Sequence, residues 1–162
     1  LAMLPPTDGR LLAKLGVRRG TRHVYSLELL HPDAIRWRAA LWAVTHNLAT
    51  PPTPAPRAAS VLRVRLTPPG FYDAVGYPPV GAFGIRVDMV ERALARLRSA
   101  SSDGPFVPPD ELMSWLGVTR AELDDITEAL GGTRLKDGRF AGEAVHRRQR
   151  DHRLRPKPQR DW

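Results

Sequence analysis

The chain has 162 residues, enough for one domain or two small modules. It contains no cysteine, which excludes disulfides and thiolate metal sites and fits a reducing cytoplasm. No apolar run approaches the ~20 residues that a membrane helix needs. Its formal charge of +8 is unevenly spread: residues 1–65 carry net +7, residues 66–143 net −4 and residues 144–162 net +5. Two basic flanks around an acidic middle suit a polyanion that meets the flanks.

The first four residues, Leu1-Ala2-Met3-Leu4, are too short and uncharged for a signal peptide. The missing initial methionine suggests a chain cut from a longer polypeptide. Residues 8–16 predict a short helix stopped by Gly16. A turn follows with three arginines, Arg18, Arg19 and Arg22, and leads to a short strand at 23–25. Pro32 starts a helix that runs to about Asn47. Its expected core arc is Ala34, Trp37, Leu41, Val44 and Leu48, at spacings of three and four, with Arg38 inside the arc. Trp37, Trp42 and Trp115 all read as core residues.

Residues 49–60 hold four prolines and read as an extended linker and a domain boundary. Beyond it, Leu62, Val64 and Leu66 alternate with Arg63 and Arg65, and Phe83, Ile85 and Val87 alternate again. The two segments predict paired strands with Arg63, Arg65 and Arg86 on their outer faces. Pro69 to Gly76 predicts one or two helical turns between them, with Phe71 and Tyr72 packed. Asp88 and Glu91 have the spacing of a capping box at the start of a helix whose apolar face is Met89, Val90, Ala93, Leu94 and Leu97. Pro109, Asp110 and Glu111 open a second helix that ends at Gly117. Thr119 and Glu122 form another capping box for a third, with Leu123, Ile126 and Leu130 facing the core. Asp137-Gly138 predicts a two-residue hairpin turn with Leu135 opposite Phe140.

These elements predict an α+β, mostly helical chain. It divides into an N-terminal helical module at 1–48, the linker at 49–60, a winged-helix-like module with short strands at 61–142, and a basic tail at 143–162.

No phosphate-cradling Gly-x-x-x-x-Gly-Lys loop, paired metal-binding histidines or nucleophile elbow is present in the sequence. Catalytic residues, metal ligands and cofactors are therefore not expected in this chain. Glu122, Asp124, Asp125 and Glu128 form its one carboxylate cluster, on the helix that a DNA-reading winged helix would place in the major groove. With Arg120 that helix carries −3, and phosphates would repel it. The expected nucleic-acid contacts are instead Arg18, Arg19 and Arg22 in the turn, Arg134, Lys136 and Arg139 in the hairpin, and Arg147, Arg148, Arg150 and Arg153 in the tail. If about seven tail charges engage a single strand, the log–log salt slope should be near −5.

Several blocks resemble the segment after the motor domains in bacterial superfamily-two helicases related to the mitochondrial degradosome RNA helicase. They are Leu15-Gly16-Val17-Arg18-Arg19-Gly20, Val24-Tyr25, Leu29-Leu30-His31-Pro32, Leu41-Trp42-Ala43, Pro69 to Tyr77, Ile85 to Arg92, and Leu112 to Gly117. They occur in the family's order over roughly residues 10–135, and they depart from it at Ser26 to His31 and in the linker. The resemblance implies a cytoplasmic parent enzyme whose RecA-like domains use ATP and magnesium to unwind nucleic acid. No catalytic residue of the family maps onto this chain. What it implies here is an accessory region that contacts single-stranded RNA or DNA or braces the motor domains. The alternative is a protein-interaction module that docks a partner through the acidic helix 119–131.

Overall fold

The computed structural model of the chain describes residues 6–49, 60–63 and 68–142. The first helix, α1 (Pro6–Lys14), is followed by Gly16 in the left-handed conformation, the expected stop. Next come β1 (Val17–Arg19) and β2 (Val24–Ser26), which pair antiparallel, with Arg18 opposite Tyr25. The arginine turn of the sequence reading is thus partly strand, and only residues 20–23 form the turn. A 3-10 turn at Glu28–Leu30 leads into α2 (Pro32–Thr45), which has its proline in the first turn.

The expected pairing of the two alternating segments is present over the described residues, and Val64, Arg65 and Leu66 lie outside them. β3 (Val61–Leu62) pairs antiparallel with β5 (Phe83–Ile85), and β4 (Pro79–Val80) lies on the other side of β5. Between them sits α3 (Phe71–Ala74), with Phe71 and Tyr72 buried as expected. The helices α4 (Val87–Ala100), α5 (Glu111–Leu116) and α6 (Arg120–Ala129) follow, then a hairpin of β6 (Thr133–Arg134) and β7 (Phe140–Ala141). The described fold is therefore α+β, with helices and small antiparallel sheets.

Two apolar cores hold it together. The larger joins the three-stranded sheet to α4, α5 and α6 through Ile85, Val90, Leu112, Leu123, Ile126 and Phe140. The smaller packs Ile35 and Ala39 of α2 against Leu62, Phe71, Val75 and Tyr77. Residues 50–59 of the proline linker lie outside the described residues. The residues on its two sides share the smaller core, so the core does not divide where the linker composition does.

The buried face of α2 is the opposite of the expected one. Ile35, Ala39 and Ala43 are buried, whereas Trp37 is 72% exposed, Leu41 63% and Val44 74%. Only Trp42, among the tryptophans of this helix, packs on the smaller core, edge-on to Phe71. The helix has apolar residues on both sides, and the small alanines let it lie close to α3, so the alanine side is the one that packs. Arg38 is half-buried, and desolvation lowers its pKa against the raising effect of Asp73. Ile35→Ala is therefore expected to cost about 2–4 kcal/mol by removing buried methyl groups, while Leu41→Lys stays within about 0.5 kcal/mol. Chemical denaturation of the two variants measures both, and equal losses would restore the original arc.

Two local expectations are corrected. Asp88 and Glu91 do not form a capping box: the residue before α4 is Arg86, and no side chain caps the helix. Asp88 accepts hydrogen bonds from the Arg86 guanidinium, and Glu91 reaches the distant turn at 20–23. The second hairpin does not turn on Asp137-Gly138 as a two-residue loop. Only Gly138 has positive φ, at 81°, so Asp137 cannot supply the left-handed residue that such a loop needs. Instead Gly138 N–H donates to Leu135 O at 3.1 Å, and the turn centres on Lys136 and Asp137 with Gly138 as the extra left-handed residue. The register shifts accordingly, and Arg134 rather than Leu135 lies opposite Phe140. Among the described residues, no helix is long and apolar enough to cross a membrane.

Candidate nucleic-acid interface

The turn at 20–23 is tied to α4 by one buried carboxylate. The Glu91 side chain, 5% exposed, accepts the backbone N–H groups of Thr21, Arg22 (3.0 Å) and His23 (2.9 Å). It also lies 2.7 Å from His23 Nδ1. Burial alone would raise its pKa; the His23 ring and the three N–H groups outweigh burial and hold the pKa below the ordinary carboxylate value. Gly20 is required here, because a Cβ on it would fall on the Glu91 carboxyl.

Docking of the turn onto α4 leaves a groove of about 740 Å³ between them, open to solvent. The turn and hairpin contribute Arg19 and Tyr25, and α4 contributes Arg92, Ala95 and Arg98 together with two carboxylates, Asp88 held by Arg86 and Glu91 held by the turn. Arg19, Arg92 and Arg98 are exposed, and among the described residues none of the three makes an ion pair. The Arg92 guanidinium lies over the Trp115 ring, 3.7 Å from its centroid, a cation–π contact that fixes the side chain and leaves its N–H donors without a carboxylate partner among the described residues. Desolvation, with Asp88 and Glu91 nearby, raises the pKa of the Tyr25 hydroxyl and keeps it neutral. A neutral ring beside three guanidinium groups that form no ion pair among the described residues offers phosphate contacts and a surface for a base.

The basic residues expected to bind nucleic acid divide sharply by position. Arg18 and Arg19 are exposed, and Arg19 lines the groove. Arg22 donates to Leu130 O at 2.7 Å, closing the C-terminal end of α6. In the second hairpin, Arg134 lies 3.5 Å from Asp124, 3.8 Å from Asp125 and 4.0 Å from Glu128. Its guanidinium carbon sits 5.3 Å from the Phe140 ring centroid. Arg139 pairs with Asp137 at 2.7 Å. Lys136 is exposed at the hairpin tip. Arg147, Arg148, Arg150 and Arg153 lie outside the described residues.

The acidic helix is also committed internally. Its expected capping box is present: Thr119 Oγ1 accepts from Glu122 N–H, and Glu122 accepts from Thr119 N–H at 2.8 Å. Arg63 adds a two-pronged contact to Glu122, at 2.7 and 3.1 Å. The Arg63 hydrogen bonds, followed by that from Thr119 N–H, hold the Glu122 carboxyl at about 2. Asp124 and Glu128, one face of the helix, have Arg134 as their cation.

Nothing in the sequence sets Arg92 and Arg98 apart as part of a basic site. Asp88, Glu91, Arg92, Ala95 and Arg98 recur every three or four residues, which puts them on one side of α4. That side was hidden behind the more obvious apolar stripe. No family model, curated protein or solved structure matches the chain.

Proposed function

We propose that this chain is a non-catalytic accessory region of an ATP-dependent nucleic-acid helicase, which contacts single-stranded RNA or DNA through its phosphates. ATP and magnesium belong to the motor domains of the cytoplasmic parent enzyme, and this region guides the strand or braces those domains. The helicase assignment rests on the resemblance of the ordered blocks between residues 10 and 135. The contact rests on one observation: Arg19, Arg92 and Arg98 line a single open groove without carboxylate partners among the described residues. The order α4, α5, α6, hairpin supports a winged-helix reading of residues 87–141. In that reading α6 is not the recognition element, since its surface is acidic, and Arg134 of the hairpin is spent on neutralising it.

Docking of a basic partner through the acidic helix has less support, because Arg63 and Arg134 already occupy its carboxylates.

Titration of a labelled oligouridylate against the full chain at several salt concentrations tests the proposal. Three groove arginines give a log–log slope of about −2, and engagement of the tail makes it steeper. No binding at low salt, or binding indifferent to salt, overturns the proposal.

A further inference from the structure

The most unusual group in the groove lies at its junction with the turn. α4 turns an apolar face inward, with Val87, Val90, Leu94 and Leu97 buried, yet Glu91 is buried beside them. An apolar residue would bury more cheaply there, since a desolvated carboxylate gains back its hydration only through complete hydrogen bonding. Glu91 achieves this with the N–H groups of three consecutive residues and the His23 ring. Consecutive N–H groups converging on an anion form a nest, a geometry that holds backbone and anion in one fixed relation. The link joins residues 68 to 70 positions apart in the chain. On the far side the same turn is held by Arg22 on Leu130 O.

We infer that Glu91 is a positioning residue for the groove: its carboxylate sets the turn 20–23 against α4 so that Arg19 faces the same ligand as Arg92 and Arg98. This rests on the nucleic-acid reading of the groove. An uncharged amide in its place keeps one acceptor oxygen but sets an NH2 donor against the remaining N–H, so the nest is weakened and, among the described residues, Arg22 on Leu130 O is the other side-chain tie of the turn. Arg19 then leaves the line of phosphate contacts while Arg92 and Arg98 stay on α4. A carboxylate that only stabilised the fold would reduce the amount of competent protein and leave the number of phosphate contacts unchanged.

A double-mutant cycle on the full chain with a twelve-residue oligouridylate separates these roles. Glu91→Gln is expected to weaken binding about fivefold and to reduce the salt slope by about 0.7, the share of one phosphate contact on a single strand. Arg19→Ala is expected to weaken the parent protein similarly and to add almost nothing in the Glu91→Gln background. Glu91→Asp, which keeps the charge, should restore part of the slope. Should Glu91→Gln not fold, His23→Ala takes its place in the cycle; it removes one donor and should show a smaller coupling of the same sign. Additive losses, or an unchanged slope, overturn the inference while leaving the groove reading intact. Failure of the parent protein to bind overturns the groove reading instead. Placement of the turn is then read alone, as loss of amide exchange protection at 21–23 in Glu91→Gln, and retained protection there would overturn that too.

Discussion

Phe140→Ala is expected to destabilise the chain by about 3–5 kcal/mol, lowering Tm by roughly 10 °C or more at this chain length. Phe140 is fully buried in the larger core. Its backbone also exchanges both hydrogen bonds with Phe106, N–H to O at 2.8 and 2.7 Å, so it pins the hairpin to the segment before α5. The two rings lie 6.3 Å apart, and a Cβ on Gly132 would come 3.2 Å from the Phe140 ring. Truncation therefore leaves a cavity whose walls are backbone and held side chains, which relax poorly. The loss is a large share of the about 5–15 kcal/mol that holds a typical domain. Differential scanning calorimetry measures it. A shift below about 3 °C would mean that the hairpin does not close the core.

The second large effect is on binding. Replacing Arg19, Arg92 and Arg98 together by alanine is expected to weaken single-strand binding roughly a hundredfold at low salt, at about 1 kcal/mol for each charge-assisted phosphate contact. The salt slope should flatten by about 2. All three side chains are exposed, so the fold should be preserved. Arg92 also lies over the partly buried Trp115 ring, and losing that contact costs about 0.5–1 kcal/mol. The same substitutions at Arg134 and Arg139 should leave the slope unchanged, because those guanidinium groups already face Asp124, Asp125, Glu128 and Asp137. Instead they should lower stability slightly, by leaving the acidic helix without its cation. A flattened slope in the hairpin variant and an unaltered one in the groove variant would reverse the assignment.

The comparison between Thr119-Glu122 and Asp88-Glu91 explains what was legible in the sequence. Both pairs have the same spacing, and both precede an apolar face. The first is a capping box, because both of its hydrogen bonds are local and need only the helix start. The second is not, because a turn some 70 residues away offers Glu91 four donors, a demand that local spacing does not encode. α2 shows the same limit. Its two apolar arcs lie on opposite sides of the helix, and periodicity does not rank them. Only the close approach of α3 selects the alanine side. In the hairpin, the Asp-Gly signal marked the turn correctly but not its length, and one left-handed residue was enough to shift the register.

Basic residues were easy to find and hard to sort. Arginines in a charged turn, a hairpin and a helix look alike in sequence, and which of them is free depends on carboxylates brought near by folding. Arg134 and Arg139 meet such carboxylates, whereas Arg92 and Arg98 sit on the polar side of a helix that was read for its apolar side.

Amide chemical-shift mapping of the full chain with the twelve-residue oligouridylate tests the placement of the interface most directly. The expected perturbations fall on residues 19–25 and on the 88–98 side of α4, together with any that the tail contributes. Perturbations confined to the 133–141 hairpin or to α6, with the groove unmoved at saturating ligand, would contradict it.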